Sequence, residues 1–426
     1  MLAEPSQEGT GYLKREEVSS MGKKKKLGLV PKLIIGIILG ILIGSFCPEI
    51  VCRIVVTASG LFSTFLKFVI PMMILAYVTM GIADLSQGAG KLLAITAGLS
   101  YGSTLIAGSC AFLVAITLFP SFMDASALEQ IAATAGNSVA SLFSISVTPI
   151  LDTLAAVLLA FILGLSLSAM KGKEIGDTLY NAIKDFSTII DKVLHVAIVP
   201  LLPLYICGTF VDMTHSGKTF VILGILWKVF LVVIAMHLLY LVFAFVVAGG
   251  ISHKNPVTLL KNQIPGYTTA LGTQSSAATI PVNKEACDSI GVPKDVSDLV
   301  LPMGCTMHMD GSVLSSITKI AFLYGVFGMD FSGAGTYGMA IVVAILSAFV
   351  LSGAPGGGLV GEMLIVSMFN FPAEAFPIIA TLGFLFDPAA TCLNASGDTI
   401  ASMLVTRLVE GKEWLDKAAA AKKSRV

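Results

Sequence analysis

Long runs of apolar residues alternate with short polar stretches from about residue 30 to residue 250. Most of these runs approach or exceed the ~20 residues that an α-helix needs to cross a bilayer. The pattern predicts six helices, at about residues 30–47, 54–83, 91–119, 141–170, 176–213 and 219–250. Residues 120–140 contain Ser, Asn and Gly and predict a loop outside the membrane. The pattern is typical of a polytopic membrane protein.

Beyond Gly250 the apolar segments are interrupted, rich in small residues and repeatedly acidic. Two of them, at about 262–287 and 337–370, are broken by polar or glycine-rich stretches. Irregular backbone at membrane depth is tolerated only where it is buried in protein or lines a cavity. Each segment therefore predicts a helical hairpin that enters and leaves the membrane on the same side. A helix with a central acidic residue follows each hairpin, at about 296–327 and 374–409.

The hairpin–helix unit occurs twice, and many secondary transporters build a binding site at the middle of the membrane from such repeats. The predicted organisation is an N-terminal tail of residues 1–29, six helices in 30–250, a transport core in 251–409 and a C-terminal tail of 410–426. Lysines 23 to 26 precede the first apolar run, and basic residues follow the last one. The positive-inside rule therefore places both tails in the cytoplasm.

The last predicted helix carries a polar stripe. Asp387, Thr391, Asn394 and Asp398 follow one another at intervals of four, three and four residues. At about 100° per residue their angular offsets are about 0°, 40°, −20° and 20°, so all four share one helix face. Two carboxylates and an amide inside a membrane are costly unless they bind a cation or a polar solute. The stripe therefore predicts a binding site.

The preceding helix contains a second candidate site. Gly304 and Gly311 flank a His-Met-Asp sequence, which predicts an unwound turn. Its carbonyls, the Asp310 carboxylate and the Thr306 hydroxyl are oxygen ligands, which suit sodium or protons more than transition metals. His308 has no second His or Cys at ligand spacing, so a structural hydrogen bond is favoured over a zinc site.

Composition narrows the functional class. Apolar residues make up 55% of the chain and charged residues only 13%, against roughly 25% charged in a soluble domain. The 27 basic and 27 acidic residues cancel, which argues against a nucleic-acid partner. We find no nucleophile–base motif and expect no enzymatic activity. The seven cysteines are scattered and predict small core residues without a disulfide framework.

Four short motifs occur in the second part of the chain: Ser275–Pro281, Met309–Ser312, Ala354–Gly358 and Asn394–Asp398. Together they resemble the dicarboxylate/amino acid:cation symporter family, which has the glutamate-transporter fold, over about residues 30–412. The resemblance implies an all-α polytopic fold with eight transmembrane helices and two re-entrant hairpins. It also implies a homotrimer. In the trimer, a scaffold domain formed mainly by the first six helices would hold the three copies together. A transport domain would slide through the membrane beside it in an elevator-type cycle.

The resemblance implies a substrate site between the hairpin tips and the last two helices. The substrate's α-carboxylate would meet Asn394, Ser276 and the backbone amides of 353–357, and its ammonium would meet Asp387. Unpaired N–H groups and the helix dipole favour an anion at the N-terminus of a re-entrant half-helix. The substrate residues implied are Ser275, Ser276, Ser312, Gly353, Ala354, Gly356, Gly357, Asp387, Ala390, Thr391 and Asn394.

The resemblance further implies three sites for sodium or protons, and we expect no organic cofactor. They comprise Asp398 with Asn394 and the Gly304 carbonyl, Thr306 with the carbonyls of Ala348, Phe349 and Leu351, and Asp310 with Tyr101 and Thr104. His308 stands where the family has an Asn that helps to ligate sodium. His308 is therefore also a candidate at the cation sites.

Two departures from the family pattern bear on the substrate. Members that carry aspartate or glutamate place an Arg where this chain has Ala390, and other such members keep one where it has Gln274. An uncompensated side-chain carboxylate in a dehydrated pocket is energetically costly. We therefore expect a symporter of a small neutral amino acid such as serine, threonine or alanine. This pattern resembles the bacterial serine/threonine branch, which implies a bacterial cytoplasmic membrane.

Two other functions are weighed against this one. A carrier of C4-dicarboxylates or acidic amino acids is the alternative, and it would require another cation such as Lys319 to reach the pocket. An anion channel of the same fold is less favoured, because the sequence offers no ring of Arg or Lys.

Two charged residues in the core are candidate coupling residues, Lys319 and Glu362. One hypothesis is that Lys319 or a protonated His308 acts as a tethered cation that replaces one sodium ion. The alternative is that Lys319 snorkels to the membrane surface or pairs with Glu362.

Overall fold

The computed structural model describes residues 29–84, 90–121, 138–170, 174–353, 357–372, 374–411 and 414. Over these residues all regular elements are helical, in two series. The first comprises α1 (Leu29–Phe46), α2 (Glu49–Ala83), α3 (Gly90–Leu118), α4 (Thr153–Met170), α5 (Glu174–Val193), α6 (Val199–His215) and α7 (Thr219–Ser252). The second comprises α8 (Pro256–Asn262), α9 (Ile264–Thr273), α10 (Ser276–Ile290), α11 (Lys294–Met307), α12 (Asp310–Val326), α13 (Gly333–Gly353), α14 (Gly357–Met368) and α15 (Ala375–Glu410).

Six elements of the described chain are long and apolar enough to cross a bilayer: α2, α3, α4, α5 continued by α6, α7 and α15. The shorter helices α1, α13 and α14 are also apolar. Helices α5 and α6 form one continuous span because a π turn, Leu194–Ile198, joins them. The prediction of an all-helical polytopic membrane protein is confirmed.

The fourth helix is shorter than predicted. It begins at Thr153, whereas the apolar pattern predicted a start near residue 141. Residues 138–152 form no helix, and part of this segment lies along α2. There the Arg53 Nε–H donates a hydrogen bond to the Ala140 carbonyl at 3.1 Å. Side chains of α2 thus satisfy backbone groups that a helix would bond internally, so hydrophobicity alone misplaced the helix start.

Three predicted segments lie wholly or largely outside the described residues. They are residues 122–137 of the predicted loop, residues 1–28 of the N-terminal tail, and most of the C-terminal tail after Gly411.

Helix pairs occupy the positions of both predicted hairpins. The first pair is α9 and α10, and it extends beyond the predicted segment because α10 continues to Ile290. The second pair is α13 and α14, and their connection at 354–356 lies outside the described residues. The helix predicted over 296–327 is broken into α11 and α12 at His308 and Met309, where the glycine pattern predicts an unwound turn.

Helix α15 is the centre of the second series. It contacts both hairpins, the broken helix α11–α12, and also α3 and α7. Its polar stripe is therefore enclosed by protein on several sides, and the residues from Ala390 to Ala401 are all buried. This packing buries Thr391, Asn394 and Asp398 inside the protein.

A stripe of glycines sets the packing of α1 against α6. Gly36, Gly40 and Gly44 recur every fourth residue, and a Cβ atom on any of them would come within 2.6–2.7 Å of a backbone carbonyl oxygen of α6. Small residues at this spacing let two membrane helices approach closely, because association in lipid depends on van der Waals contact. The stripe therefore packs the first described helix closely against α6.

We predict that Gly40→Ala lowers thermal stability, because the new Cβ atom would lie 2.6 Å from the Cys207 carbonyl oxygen and force the helices apart. Overpacking of this kind costs about 1–3 kcal/mol. The measurement is the unfolding midpoint of the purified protein in detergent. Gly60→Ala is the matched control, because its Cβ atom would have no neighbour within 4 Å. Equal midpoints for the two variants would contradict the packing role.

Candidate functional site

A cavity of about 660 Å³ lies between the first hairpin and helices α11, α12, α14 and α15. Most of the predicted substrate residues line it, namely Ser275, Ser276, Ser312, Asp387, Ala390, Thr391 and Asn394. Gly353 ends α13 and Gly357 begins α14, while Ala354 and Gly356 lie outside the described residues. The fold thus brings residues from distant parts of the sequence to one cavity.

The tip of the first hairpin presents a helix N-terminus to this cavity. Gln274 adopts a left-handed backbone conformation, with φ of 52°, which turns the chain between α9 and α10. Ser275 then caps α10, because its Oγ accepts a hydrogen bond from the Ala278 N–H at 3.2 Å. Ser276 is the first residue of α10 and lines the cavity. Unpaired N–H groups and the helix dipole make this end of the cavity suited to an anionic group.

Asn394 joins α15 to the broken helix. Its Oδ1 accepts hydrogen bonds from the N–H groups of Gly311 at 2.8 Å and Ser312 at 3.4 Å, and its Nδ2 donates to Ser312 Oγ at 2.8 Å. The first turn of a helix has N–H groups without intrahelical partners, so Asn394 supplies acceptors that α12 lacks. A Cβ atom on Gly311 would collide with the Ala390 backbone, which shows how closely the two helices approach.

Asp387 provides a carboxylate in the wall of the cavity. Thr391 lies one turn further along α15, and its hydroxyl donates a hydrogen bond to Asp387 Oδ1 at 3.3 Å. The predicted stripe therefore does form one face, with Asp387, Thr391 and Asn394 lining the cavity. A carboxylate in this position can bind an ammonium group.

Asp398 lies deeper along the same helix and is 1% exposed. Gly304 packs against it so closely that a Cβ atom there would overlap the carboxylate. The Cys305 thiol donates to Asp398 Oδ2 at 3.6 Å, while Oδ1 has no hydrogen-bond partner among the described residues. A buried carboxylate oxygen without a donor is costly, so this position suits a bound cation.

His308 is enclosed between the two buried acids of the core. Its Nε2 lies 3.5 Å from Asp310 Oδ2, and its Nδ1 lies 3.9 Å from Asp398 Oδ1. Gly397 faces the imidazole ring, and a Cβ atom at that position would overlap the ring. Gly397 was not predicted as a site residue, although a glycine beside an intramembrane Asp was an available signal.

Asp310 is held by helix α3. The hydroxyls of Ser103 and Thr104 both donate to its carboxylate, the latter at 3.0 Å. Thr104 and Tyr101 also line a small cavity of about 10 Å³, about the volume that one water-sized sphere needs. Ser103 was missed by the sequence analysis, although it neighbours the predicted Thr104.

The same small cavity connects two of the predicted cation sites. Thr306 and Ala348 line it together with Tyr101 and Thr104. The other two residues predicted to contribute carbonyls, Phe349 and Leu351, lie in α13. Within the described ranges we find no group of three or more His, Cys, Asp and Glu side chains that could hold a metal ion. The side-chain oxygens among the residues that line the small cavity are the hydroxyls of Tyr101, Thr104 and Thr306.

Lys319 and Glu362 form a buried contact on the wall of the cavity of about 660 Å³. The ammonium of Lys319 on α12 contacts Oε1 of Glu362 on α14. The expected alternative that Lys319 pairs with Glu362 is therefore confirmed. Helix periodicity by itself does not indicate such a pair, because the partners lie on different helices.

We predict that Gly397→Ala destabilises the protein, because the added Cβ atom would overlap the His308 ring. Overpacking in a core costs about 1–3 kcal/mol. The measurement is the thermal unfolding midpoint in detergent, with and without sodium. We expect a lower midpoint and a smaller stabilisation by sodium.

Gly397→Ala/His308→Asn should recover part of the lost stability, since the smaller amide leaves room for the Cβ atom. Gly250→Ala is the control, because its Cβ atom would have no neighbour within 4 Å. An unchanged midpoint in Gly397→Ala, or no recovery in the double variant, would contradict this contact.

Two curated relatives are similar to part of the chain. The protein glt-6 of Caenorhabditis elegans, provisionally named a sodium-dependent excitatory amino acid transporter, is 29% identical over 242 residues, which are 55% of this chain and 44% of glt-6. Excitatory amino acid transporter 2 of Mus musculus is 29% identical over 188 residues, which are 41% of this chain and 32% of the mouse protein. The matched part thus spans less than half the length of these relatives.

The family comparison covers far more of the chain. The sodium:dicarboxylate symporter family matches residues 29–408, which include nearly all described helices. The predicted resemblance is confirmed at the level of the family, which is one of transporters and implies sodium coupling. The fold agrees with this match, because residues of the polar stripe of α15 line one cavity. We conclude that the chain belongs to the sodium:dicarboxylate symporter family.

Proposed function

We propose that this protein is a secondary active symporter that takes up a small neutral amino acid, of the serine, threonine or alanine type, together with sodium. The observation that carries the proposal is the charge of the cavity wall. Among its described lining residues are two carboxylates, Asp387 and Glu362, and a single basic group, Lys319, which is already in contact with Glu362.

The two ends of the cavity are complementary to an amino acid backbone. The α10 N-terminus, with Ser276, suits the α-carboxylate, and the start of α14 at Gly357 supplies a second helix N-terminus. Asp387 suits the ammonium. The relatives named as excitatory amino acid transporters support an amino acid over a C4-dicarboxylate, which has no ammonium to pair with Asp387.

The part of the cavity that would receive the substrate's side chain favours a neutral group. Ala390 and Gln274 line the cavity at the positions where acidic-substrate members of the family carry Arg. A substrate carboxylate here would lose its hydration without gaining a free cationic partner, which is costly. A methyl or hydroxymethyl side chain avoids that loss.

Sodium ions are transported with the amino acid in this proposal. Asp398 with Asn394 and Gly304, and Asp310 with Thr104 and Tyr101, form two of the candidate sites, and Thr306 beside Ala348 forms the third. Hydroxyls, carbonyls and carboxylates are oxygen ligands suited to a hard cation. Binding of cation and amino acid is expected to be mutually favourable, because Asn394 lies between Asp387 and Asp398 on one helix face.

The transport cycle is alternating access in a multi-pass protein of the bacterial cytoplasmic membrane, with both termini in the cytoplasm. Helices of residues 30–250 act mainly as scaffold of a homotrimer, and residues 251–409 form the transport core. This division is supported by the family resemblance and by the position of α15 at the centre of the second series.

We predict that the purified protein in proteoliposomes accumulates labelled serine, threonine or alanine against a gradient when sodium is imposed outside. The panel includes aspartate, glutamate and succinate, with imposed sodium and proton gradients compared. The described residues that line the cavity include no free basic group, so these acids should be poor substrates. Preference for aspartate or succinate would contradict the neutral assignment, and flux without accumulation would indicate a channel.

We predict that Ala390→Arg makes aspartate an effective competitor of serine uptake. Ala390 is buried and lines the cavity, so an Arg there would place a guanidinium beside the substrate side chain for bidentate pairing. We expect inhibition by aspartate to strengthen about 10-fold or more. Ala390→Gln is the control for size without charge. Equal inhibition of serine uptake by aspartate in the two variants would show that residue 390 does not contact the substrate's side chain.

A further inference from the structure

A buried ion pair joins two walls of the substrate cavity. The ammonium of Lys319 on α12 contacts Oε1 of Glu362 on α14, and each residue is 3% exposed. Both side chains line the cavity that Asp387 also lines. Charges at this depth are tolerated when their polar atoms are satisfied, because desolvation is otherwise uncompensated.

Glu362 leaves one carboxylate oxygen unsatisfied. Its Oε2 is buried and accepts no hydrogen bond from any described residue. An oxygen of this kind costs free energy until a donor reaches it. Because Glu362 lines the cavity, a hydrogen-bond donor on a bound substrate can satisfy this Oε2 atom.

The Glu362 carboxylate is also a neighbour of Asp387. It packs over Gly383, where a Cβ atom would collide with Oε1. Gly383 precedes Asp387 by one turn of α15, so both carboxylates lie along one helix face. Asp387, Glu362 and the Lys319 ammonium all line the same cavity. Two carboxylates and one ammonium give the described wall a net charge of −1.

We propose that Glu362 is a second ligand of the substrate's ammonium group, and that Lys319 is the residue that positions it. Lys319 holds Oε1, while Oε2 and the Asp387 carboxylate accept hydrogen bonds from the ammonium. The single positive charge of the ammonium balances the residual charge of the wall. The substrate class is therefore a zwitterion with one primary ammonium, and a second carboxylate is excluded by Glu362. This inference rests on the proposed uptake of amino acids.

The Lys319–Glu362 pair could have a purely structural role, in which it holds α14 against α12 and does not contact the substrate. Replacement of both residues by apolar ones distinguishes this role from binding of the ammonium. A buried ion pair can often be exchanged for apolar residues of similar volume without loss of stability. If the pair is only structural, Lys319→Met/Glu362→Leu should restore the contact between α12 and α14 and leave serine binding unchanged. If Glu362 binds the ammonium, the double variant should still bind serine weakly.

The test is sodium-driven uptake of labelled serine in proteoliposomes, with unlabelled succinate as competitor. Glu362→Gln and Lys319→Met/Glu362→Leu are compared with the wild-type protein. We expect KM for serine to rise about 10-fold or more in both variants, since each loses a charged hydrogen-bond acceptor. The maximal rate should change less than KM. Succinate should inhibit Glu362→Gln more strongly than wild type, because the wall loses its net negative charge.

Lys284→Met/Asp298→Asn is the matched control. This ion pair joins α10 to α11 at 2.5 Å, but its side chains are 43% and 57% exposed and do not line the cavity. Its KM should equal that of wild type. A wild-type KM in the double cavity variant, or in Glu362→Gln, would overturn the inference. Failure of the proposed function is distinguishable, because the wild-type protein itself would then not take up serine.

Discussion

The cap that Asn394 places on α12 is the interaction on which the site depends. Breaking a helix inside a membrane exposes N–H groups and carbonyls, and no bulk water is present to satisfy them. The amide of Asn394 accepts from Gly311 and Ser312, so the break is stable and remains beside α15. Asp310, the first residue of α12, is thereby held where α3 hydroxyls reach it. One side chain thus connects the candidate substrate cavity to the proposed cation sites.

Close approach of backbones is the second requirement, and glycine supplies it at several contacts of α15. Gly311 lies against the Ala390 backbone, Gly304 against the Asp398 carboxylate, and Gly397 against the His308 ring. A methyl group at any of these positions would separate the helices or displace a charged group. The site is therefore compact because small residues face the bulky or charged ones, which keeps the buried carboxylates within reach of partners from other helices.

Part of this arrangement could be predicted from the sequence. Helical periodicity placed Asp387, Thr391 and Asn394 on one face, and all three line the cavity. The start of α4 was misplaced, because side chains of α2 such as Arg53 bond the backbone of the preceding segment. Ser103 at Asp310 was missed for a similar reason, since its role depends on how α3 packs against α12.

The sequence by itself determined the all-helical membrane class, the two interrupted hairpin segments and the membership of a transporter family. These follow from local properties: apolar length, residue spacing and short motifs. Only the tertiary structure decided which charges meet. Lys319 contacts Glu362 from another helix, and His308 lies between Asp310 and Asp398. Such pairings depend on how separate helices pack in three dimensions, because the distance between charges sets their interaction and spacing along the chain does not encode it.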